Sequence, residues 1–431
     1  MSLLESLPIE LVAHVLSFVE PKDLLSVRLT CLQLSRISLP LFGEAFFSTI
    51  GFMVSSHSLA TLEAISEHVE LRKYLRHLWI APDMYSQELF SLGILYFETA
   101  NDMGRAKEES LCFAACTPYM TDNERLISSG GLACRLEKAF RHFPKLETLG
   151  MRHFNEEDDL RSYDYDAIPD NQRCLGRTRL FVATGRDPLV TGKTDTDPDP
   201  DWPDSTFETR SFAALLSATA RSDLKPKNIY TCGPTPGGCI ALVQPDHLGL
   251  SDIPPESLSS ALACLESFHI CVIESDSFDR QGAGLASLLN ASRALQHLSL
   301  RFHESLEHET GSQFNAVFTY LAAHVTLPSL RRLSTAGMAP YASLTPLVPF
   351  LRSTRDTLHE LEIHTCEQAW DRVTVDNLRK EDFWLPELTK LVTESGCKKL
   401  KVSQYNTLLT EDPNVLSSWV FSDTHAPYRV V

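Results

Sequence analysis

The chain has 431 residues, 43% hydrophobic and 22% charged, the balance of a globular protein with room for a large core. Its net charge of −17 argues against nucleic acid as a main partner, because phosphate binding needs a basic face. The start of the chain has no basic region leading into an apolar run, and no window approaches ~18 uninterrupted apolar residues, so neither a signal peptide nor a membrane span is expected.

The first readable stretch is Leu7 to Leu34, two helical patterns separated by Pro21. Leu7, Leu11, Val15 and Leu16 recur at helical spacing, with Val12 and Val19 on the flank, and Pro8 suits a first helical turn. In the second pattern, Leu24, Val27, Cys31 and Leu34 make one stripe, and Leu25, Leu29 and Leu32 make another. A surface helix needs a single apolar stripe, so two imply cover on both sides: the chain itself on one and a separate protein on the other.

Leu7-Pro8, Glu10-Leu11, Val15-Leu16, the run Pro21 to Leu25, Val27-Arg28 and Cys31 together resemble an F-box, over roughly the first tenth of the chain. Leu34 stands where many F-boxes carry a tryptophan. The resemblance implies a small helical bundle that docks on the Skp-type adaptor of a cullin–RING ubiquitin ligase. Leu7, Pro8, Leu11, Val15, Leu16, Leu24, Leu25 and Val27 would supply the adaptor contact and its support.

Leu39 to Val54 reads as an apolar bridge to the next body. From there a helix followed by a strand recurs. The helical patterns fall at 57–74, 132–143, 212–220, 257–264, 284–294, 314–324 and 344–354. The strands after them follow Leu75-x-x-Leu78-x-Ile80, and the form returns at Leu146, Leu265, Leu295, Leu330 and Leu358; Ile229 opens a shorter strand. This is the strand segment of a leucine-rich repeat. The anchors Phe268, Leu298, Leu333, Leu361 and Leu391 lie 30, 35, 28 and 30 residues apart, a period that holds a full helix per turn. The fold class expected is therefore α/β: an N-terminal α-helical F-box over 1–45, then an irregular leucine-rich-repeat-like αβ solenoid over 46–411. The last segment, 412–431, is a tail or a cap in which Trp419 to Phe421 folds back. Two stretches interrupt the repeats. Residues 81–121 are mixed, with a helix expected near 87–100, and residues 152–208 form an acidic insertion whose Asp195–Asp201 run, broken by two prolines, reads as a solvated loop.

Catalytic chemistry finds little support in the sequence. In Gly185 to Thr194, Asp187 occupies the place of the first glycine of a phosphate loop. Cys112 with Cys116, Cys232 with Cys239, and His364 with Cys366 lack the spacing or the further ligands of a zinc site. No G-x-S-x-G elbow appears, and the acids 156–159 lie in a solvated run rather than a pocket. The 11 cysteines, scattered and odd in number, read as reduced thiols of a protein of the cytoplasm, the nucleus or both. No metal and no cofactor is expected.

Binding remains. Residues between the leucines of such strands face the concave side: among them Trp79, His269, His297, Arg301, Arg332, Glu360, Glu362 and His364. Trp79, His297, Arg301, Arg332, Glu362 and His364 are the expected contacts for a protein target. Arg301 and Arg332, on neighbouring strands, either form a fork for an anionic group or pair with Glu360 and Glu362. The whole resembles fungal F-box proteins, which implies a non-catalytic substrate receptor joined through the adaptor to a cullin, or an interaction scaffold acting outside a ligase.

Overall fold

The computed structural model describes most of residues 7–153, together with 174–184, 205–231, much of 241–273, 282–303, 312–338, 345–366, 398–405, 418–421 and 427–430. The chain divides into two compact units. Unit 1 holds residues 1–149 and 154–191, and unit 2 holds 150–153 and 192–431.

Unit 1 opens with four short helices: α1 (Ile9–Leu16), α2 (Pro21–Thr30), α3 (Leu32–Ile37) and α4 (Leu39–Phe47). Pro8 precedes α1 and Pro21 begins α2, so a residue without an N–H sits where no helical donor is needed. The second sequence pattern is two helices, not one. Cys31 is extended, with φ −157°, and its sulfur accepts a weak bond from the Leu34 N–H at 3.5 Å, which starts α3. Arg28 ties these pieces together. Its guanidinium donates to the Ser35 carbonyl at 2.7 Å and lies 4.2 Å from the centre of the Phe42 ring.

The apolar bridge turns out to contain a strand, β1 (Thr49–Met53), which runs parallel to β2 (His77–Ala81) with Ile50 opposite Leu78. Between them lies α5 (Ser56–Glu67), shorter than the helix expected over 57–74. The mixed stretch contributes α6 (Met103–Ser128), which runs through Pro118; α7 (Gly131–Phe140) and β3 (Thr148–Met151) follow. Part of the helix expected near 87–100 lies outside the described residues; residues 94–97 are helical.

The insertion also departs from expectation. Residues 154–173 and 185–204, with the Asp195–Asp201 run and the Gly185–Thr194 motif, lie outside the described residues. Between them stand β4 (Cys174–Leu175) and α8 (Arg177–Thr184). β4 lies parallel to β1, with Gly51 opposite Cys174. Cys174 and Leu180 are buried with Met53, Ala81, Tyr85 and Cys116, and Tyr85 Oη lies 2.9 Å from Thr184 Oγ1. Gly176 joins the two pieces at φ +95°, and a Cβ there would collide with the Ser58 hydroxyl, itself 2.9 Å from the Leu175 carbonyl. Gly176→Ala is therefore expected to cost about 1–3 kcal/mol in urea denaturation; an unchanged midpoint would show that the turn relaxes freely.

Unit 2 is built on parallel strands β5 (Asn228–Tyr230), β7 (Ser267–Ile273), β8 (His297–His303), β9 (Arg332–Met338), β10 (Glu360–Cys366) and β11 (Lys399–Tyr405), in that lateral order, with β6 (Leu242–Val243) also against β7. The helices α9 (Ser205–Arg221), α10 (Pro255–Ala261), α11 (Ala283–Ala291), α12 (Ser312–His324) and α13 (Leu347–Ser353) come before or between them. Ile229, Phe268, Leu298, Leu333, Leu361 and Leu400 occupy one line across the sheet, all buried. Such an apolar row has no partner within one repeat and becomes a core only when repeats stack. Phe314, Phe318 and Phe350 extend it, with ring centres 4.6 and 5.7 Å apart. The strand beside β10 is anchored by Leu400, not Leu391, and residues 384–391 lie outside the described residues. Beyond it, β12 (Ser418–Phe421) and β13 (Pro427–Val430) run antiparallel, Trp419 opposite Val402. A helical N-terminal domain followed by parallel strands with helices is thus the architecture, as the sequence predicted.

Candidate functional site: the helical face and the strand face

Burial sorts the apolar residues of α1–α3 into two sets. Val12, Leu16 and Ile37 form a buried cluster, with Val19, Val27, Leu34 and Leu41 packed on it, and Leu24 is buried too. Leu7, Ile9, Leu11, Val15, Phe18, Leu29 and Leu32 are exposed, Phe18 at 78% and Leu29 at 88%. The stripe Leu7-Leu11-Val15 therefore faces out, and its presumed flank, Val12, faces in. Of the eight residues singled out in the sequence, Leu7, Pro8, Leu11 and Val15 are exposed, Leu25 and Val27 are half-buried, and Leu16 and Leu24 are core. Ile9 and Phe18 stand outside the sequence stripes, and Leu29 and Leu32 belong to the second stripe of the second pattern. Isolated exposed leucines are ordinary, but this many on one small bundle are a docking surface in character.

The second surface is the face of the unit 2 sheet opposite the leucine anchors. Side chains alternate along a strand, so the residues flanking each anchor share it. The register builds two rows. One runs Ser267, His297, Arg332, Glu360, Lys399, and the other runs Tyr230, His269, Ser299, Ser334, Glu362, Lys401. At one end the rings stack edge to face: Tyr230 on His269 with centres 4.7 Å apart, and His269 on His297 at 4.6 Å. At the other end the charges interlock. Arg332 Nη2 donates to Glu362 Oε2 at 2.6 Å, Lys401 Nζ to Glu362 Oε1 at 2.6 Å, and Lys399 Nζ lies 2.8 Å from Glu360 Oε1.

The electrostatics follow from this packing. Partial burial works against ionised Glu360, yet the close ammonium groups of Lys399 and Lys401, 2.8 and 3.0 Å from Oε1, and the charge of Arg332 hold its carboxyl at about 2. Glu362 is lowered by the same balance. Burial drives His269 down to about 3 and His297 to about 4, and the Arg332 charge adds to both. Both imidazoles are therefore neutral at pH 7, and Nδ1 of His269 is buried with no hydrogen-bond partner among the described residues.

Five of the six expected target contacts lie in unit 2, and Trp79, half-buried on β2, belongs to unit 1. Arg301 and Arg332 do not form a fork. Arg301 stands opposite Ala336, whereas Arg332 stands opposite His297 and Glu360, so they are roughly 13 Å apart along the strand direction. Arg332 takes the other course, pairing with Glu362. His364 is half-buried on β10, and burial lowers its pKa. Lys399 and Lys401 lie on β11, beyond the 384–391 segment to which the leucine spacing points.

For the residues considered as metal ligands, Cys112 and Cys116 are one turn apart on α6 and pack in the unit 1 core. Cys232 and Cys239 lie outside the described residues. Among the described residues no three His, Cys, Asp or Glu side chains converge to hold a metal ion, and no helix is long and apolar enough to cross a membrane.

Comparison with known proteins agrees with the helical bundle. Residues 4–39 match the F-box domain family, so the chain carries an F-box domain at its N-terminus. F-box domains generally bind a Skp-type adaptor within cullin-based complexes, typically as parts of non-catalytic substrate receptors. No curated protein matches the chain in sequence. Among solved structures it is similar to the leucine-rich repeat-containing protein LegL7 from Legionella pneumophila, with 9% identity over 83% of this chain and 90% of that one, and a TM-score of 0.25.

Proposed function

We propose that this protein is a substrate-recognition subunit of a Skp–cullin–F-box ubiquitin ligase, holding the adaptor with its helical face and a target protein with the strand face of unit 2. The observation that carries the reading is the F-box domain at 4–39 with its solvent-facing apolar set. Leu7, Pro8, Leu11 and Val15, joined by Ile9, Leu29 and Leu32, touch the adaptor; Leu25 and Val27 border the contact, and Leu16 and Leu24 hold the helices beneath it. Such a subunit needs no catalytic residue of its own. It raises the effective concentration of a target beside a charged conjugating enzyme, and proximity drives the transfer. His297, Arg332 and His364 belong to the target-facing surface, Arg301 and Glu362, each 6% exposed, support it from beneath, and Trp79 is the corresponding residue of unit 1. The cytoplasm and the nucleus are the compartments that fit this role.

Affinity capture of the full-length chain from cell extract, read by mass spectrometry, tests the proposal. Co-purification of a Skp-type adaptor and a cullin is expected. An adaptor without a cullin would make the protein a scaffold outside the ligase, and capture of neither would overturn the reading.

A further inference from the structure

The charged end of the unit 2 strand face is layered. The side chains of Glu360 and Glu362 are 21% and 7% exposed, whereas those of Arg332, Lys399 and Lys401 are 40%, 49% and 37% exposed. Two carboxylates thus form the floor, and three cations, one in excess, form the outer layer. This is a net positive strip on a chain of net charge −17. The floor also displays the geometry of its own ligand. Glu360 and Glu362 are two residues apart on one extended strand, and the register sets them opposite Lys399 and Lys401. Residues at that separation lie roughly 6.6 Å apart on the same side of a strand. Any extended segment with acids two residues apart carries the same spacing.

We infer that the strip formed by Arg332, Lys399 and Lys401 docks an extended acidic segment of a target protein, one with Asp or Glu at alternate positions, which repeats from outside the pairing that Glu360 and Glu362 make from below. The inference rests on the reading of unit 2 as the target-holding part and names the chemistry of the target. Charge complementarity selects the occupant. Each lysine has three N–H donors and a flexible stem, so it can share itself between the floor and an incoming carboxylate. A dianionic phosphate suits the strip less well, since it gathers both charges at one point, whereas Lys399 and Lys401 stand two residues apart on one strand. Nucleic acid would bring a row of phosphates toward a chain that is strongly anionic elsewhere. The half-buried rings of Tyr230 and His297, packed on either side of the buried His269, continue the same face and offer contact area to an apolar residue of the segment.

The test uses the full-length chain and fluorescein-labelled alanine-based decapeptides read by anisotropy at low salt. The peptide with two glutamates at alternate positions is expected to bind saturably at or below ~1 mM and to weaken as salt is raised. The same peptide with its glutamates adjacent, which project to opposite sides, is expected to bind about tenfold more weakly. Lys399→Gln with Lys401→Gln should abolish binding. Glu360→Gln, which removes a competing floor charge, should tighten it several-fold. A merely structural role for the strip would weaken binding in every variant, so the opposite directions discriminate. The inference is overturned if no saturable binding appears, if the adjacent arrangement binds equally well, if Glu360→Gln weakens binding, or if a phosphoserine peptide or a single-stranded RNA binds more tightly than the glutamate peptide. Adaptor capture is measured on the same preparations. Loss of peptide binding with adaptor capture intact sinks only this inference, and the converse sinks only the ligase reading.

Discussion

Replacing Leu11 and Val15 together with aspartate is expected to abolish capture of a Skp-type adaptor by the full-length chain and to leave its urea denaturation midpoint nearly unchanged. Both side chains are exposed on α1, while Val12 and Leu16, on the other side of the same helix, carry its packing. A surface substitution of this kind usually moves stability by less than about 0.5 kcal/mol. Placing two carboxylates in an apolar contact costs several kcal/mol of binding, because the charges lose water without gaining partners. Leu24→Ala is the informative contrast. Leu24 is buried, so truncation should cost about 2–5 kcal/mol of stability and weaken adaptor capture only indirectly. If the double aspartate variant still captures adaptor at wild-type levels, the exposed face of α1 is not the contact.

The second large effect is acid lability of unit 2. His269 and His297 have pKa values held down to about 3 and about 4, so below their ordinary value near 6.5 the unfolded chain takes up protons that the folded face refuses. Their contribution is complete above about 6.5 and declines as pH falls toward about 4 and then 3. The groups facing them are Tyr230, Ser267, Arg332, Glu360 and Glu362, and of these Arg332 opposes protonation while the two carboxylates only partly offset burial. Between about pH 7 and about pH 5 the pair is expected to remove on the order of 3–4 kcal/mol, near 1.4 kcal/mol per unit for each group. Glu360, held at about 2, adds a further loss only below its ordinary value of 4.5. Urea midpoints across this range measure the slope, and His269→Phe, which keeps a ring between its neighbours, should roughly halve it. A flat stability profile between pH 7 and 5 would contradict burial of neutral imidazoles.

The repeat anchors were legible because leucine at the first, fourth and sixth places is a strong local signal, and Phe268, Leu298, Leu333 and Leu361 do stand in one line. The strands that went unread carry the same spacing in other residues. Phe47-x-x-Ile50-x-Phe52 is β1 with its approach, and β11 brings Leu400 to the anchor line from a stretch with no leucine at the first or sixth place. Bulky apolar groups fill the core as leucine does, so the spacing survives while the letters change. The helical face was half legible. Periodicity marked two apolar stripes, but the extended backbone at Cys31 starts a new helix, and only packing decides which stripe turns inward. The charged rows were legible in part: pairing of Arg332 with Glu360 and Glu362 was one of two readings, but the lysines of β11 and the place of Arg301 were not. They depend on lateral register, and register depends on where each strand begins, which is why Arg301 and Arg332 were set side by side when Arg332 in fact faces His297.

The pairing of β4 with β1 also governs the order in which the chain can mature. Gly51 meets Cys174, so the strand that covers this side of β1 is encoded 123 residues later. Synthesis runs from the N-terminus at roughly 5–20 residues per second, so the interval is on the order of 10 s. During that time the helical bundle has already left the ribosome, while one edge of β1 still offers unpaired backbone donors and acceptors to any passing strand. The nascent chain thus completes its F-box bundle before its first sheet edge is closed, and this early window is when its strand backbone is most open to wrong pairing.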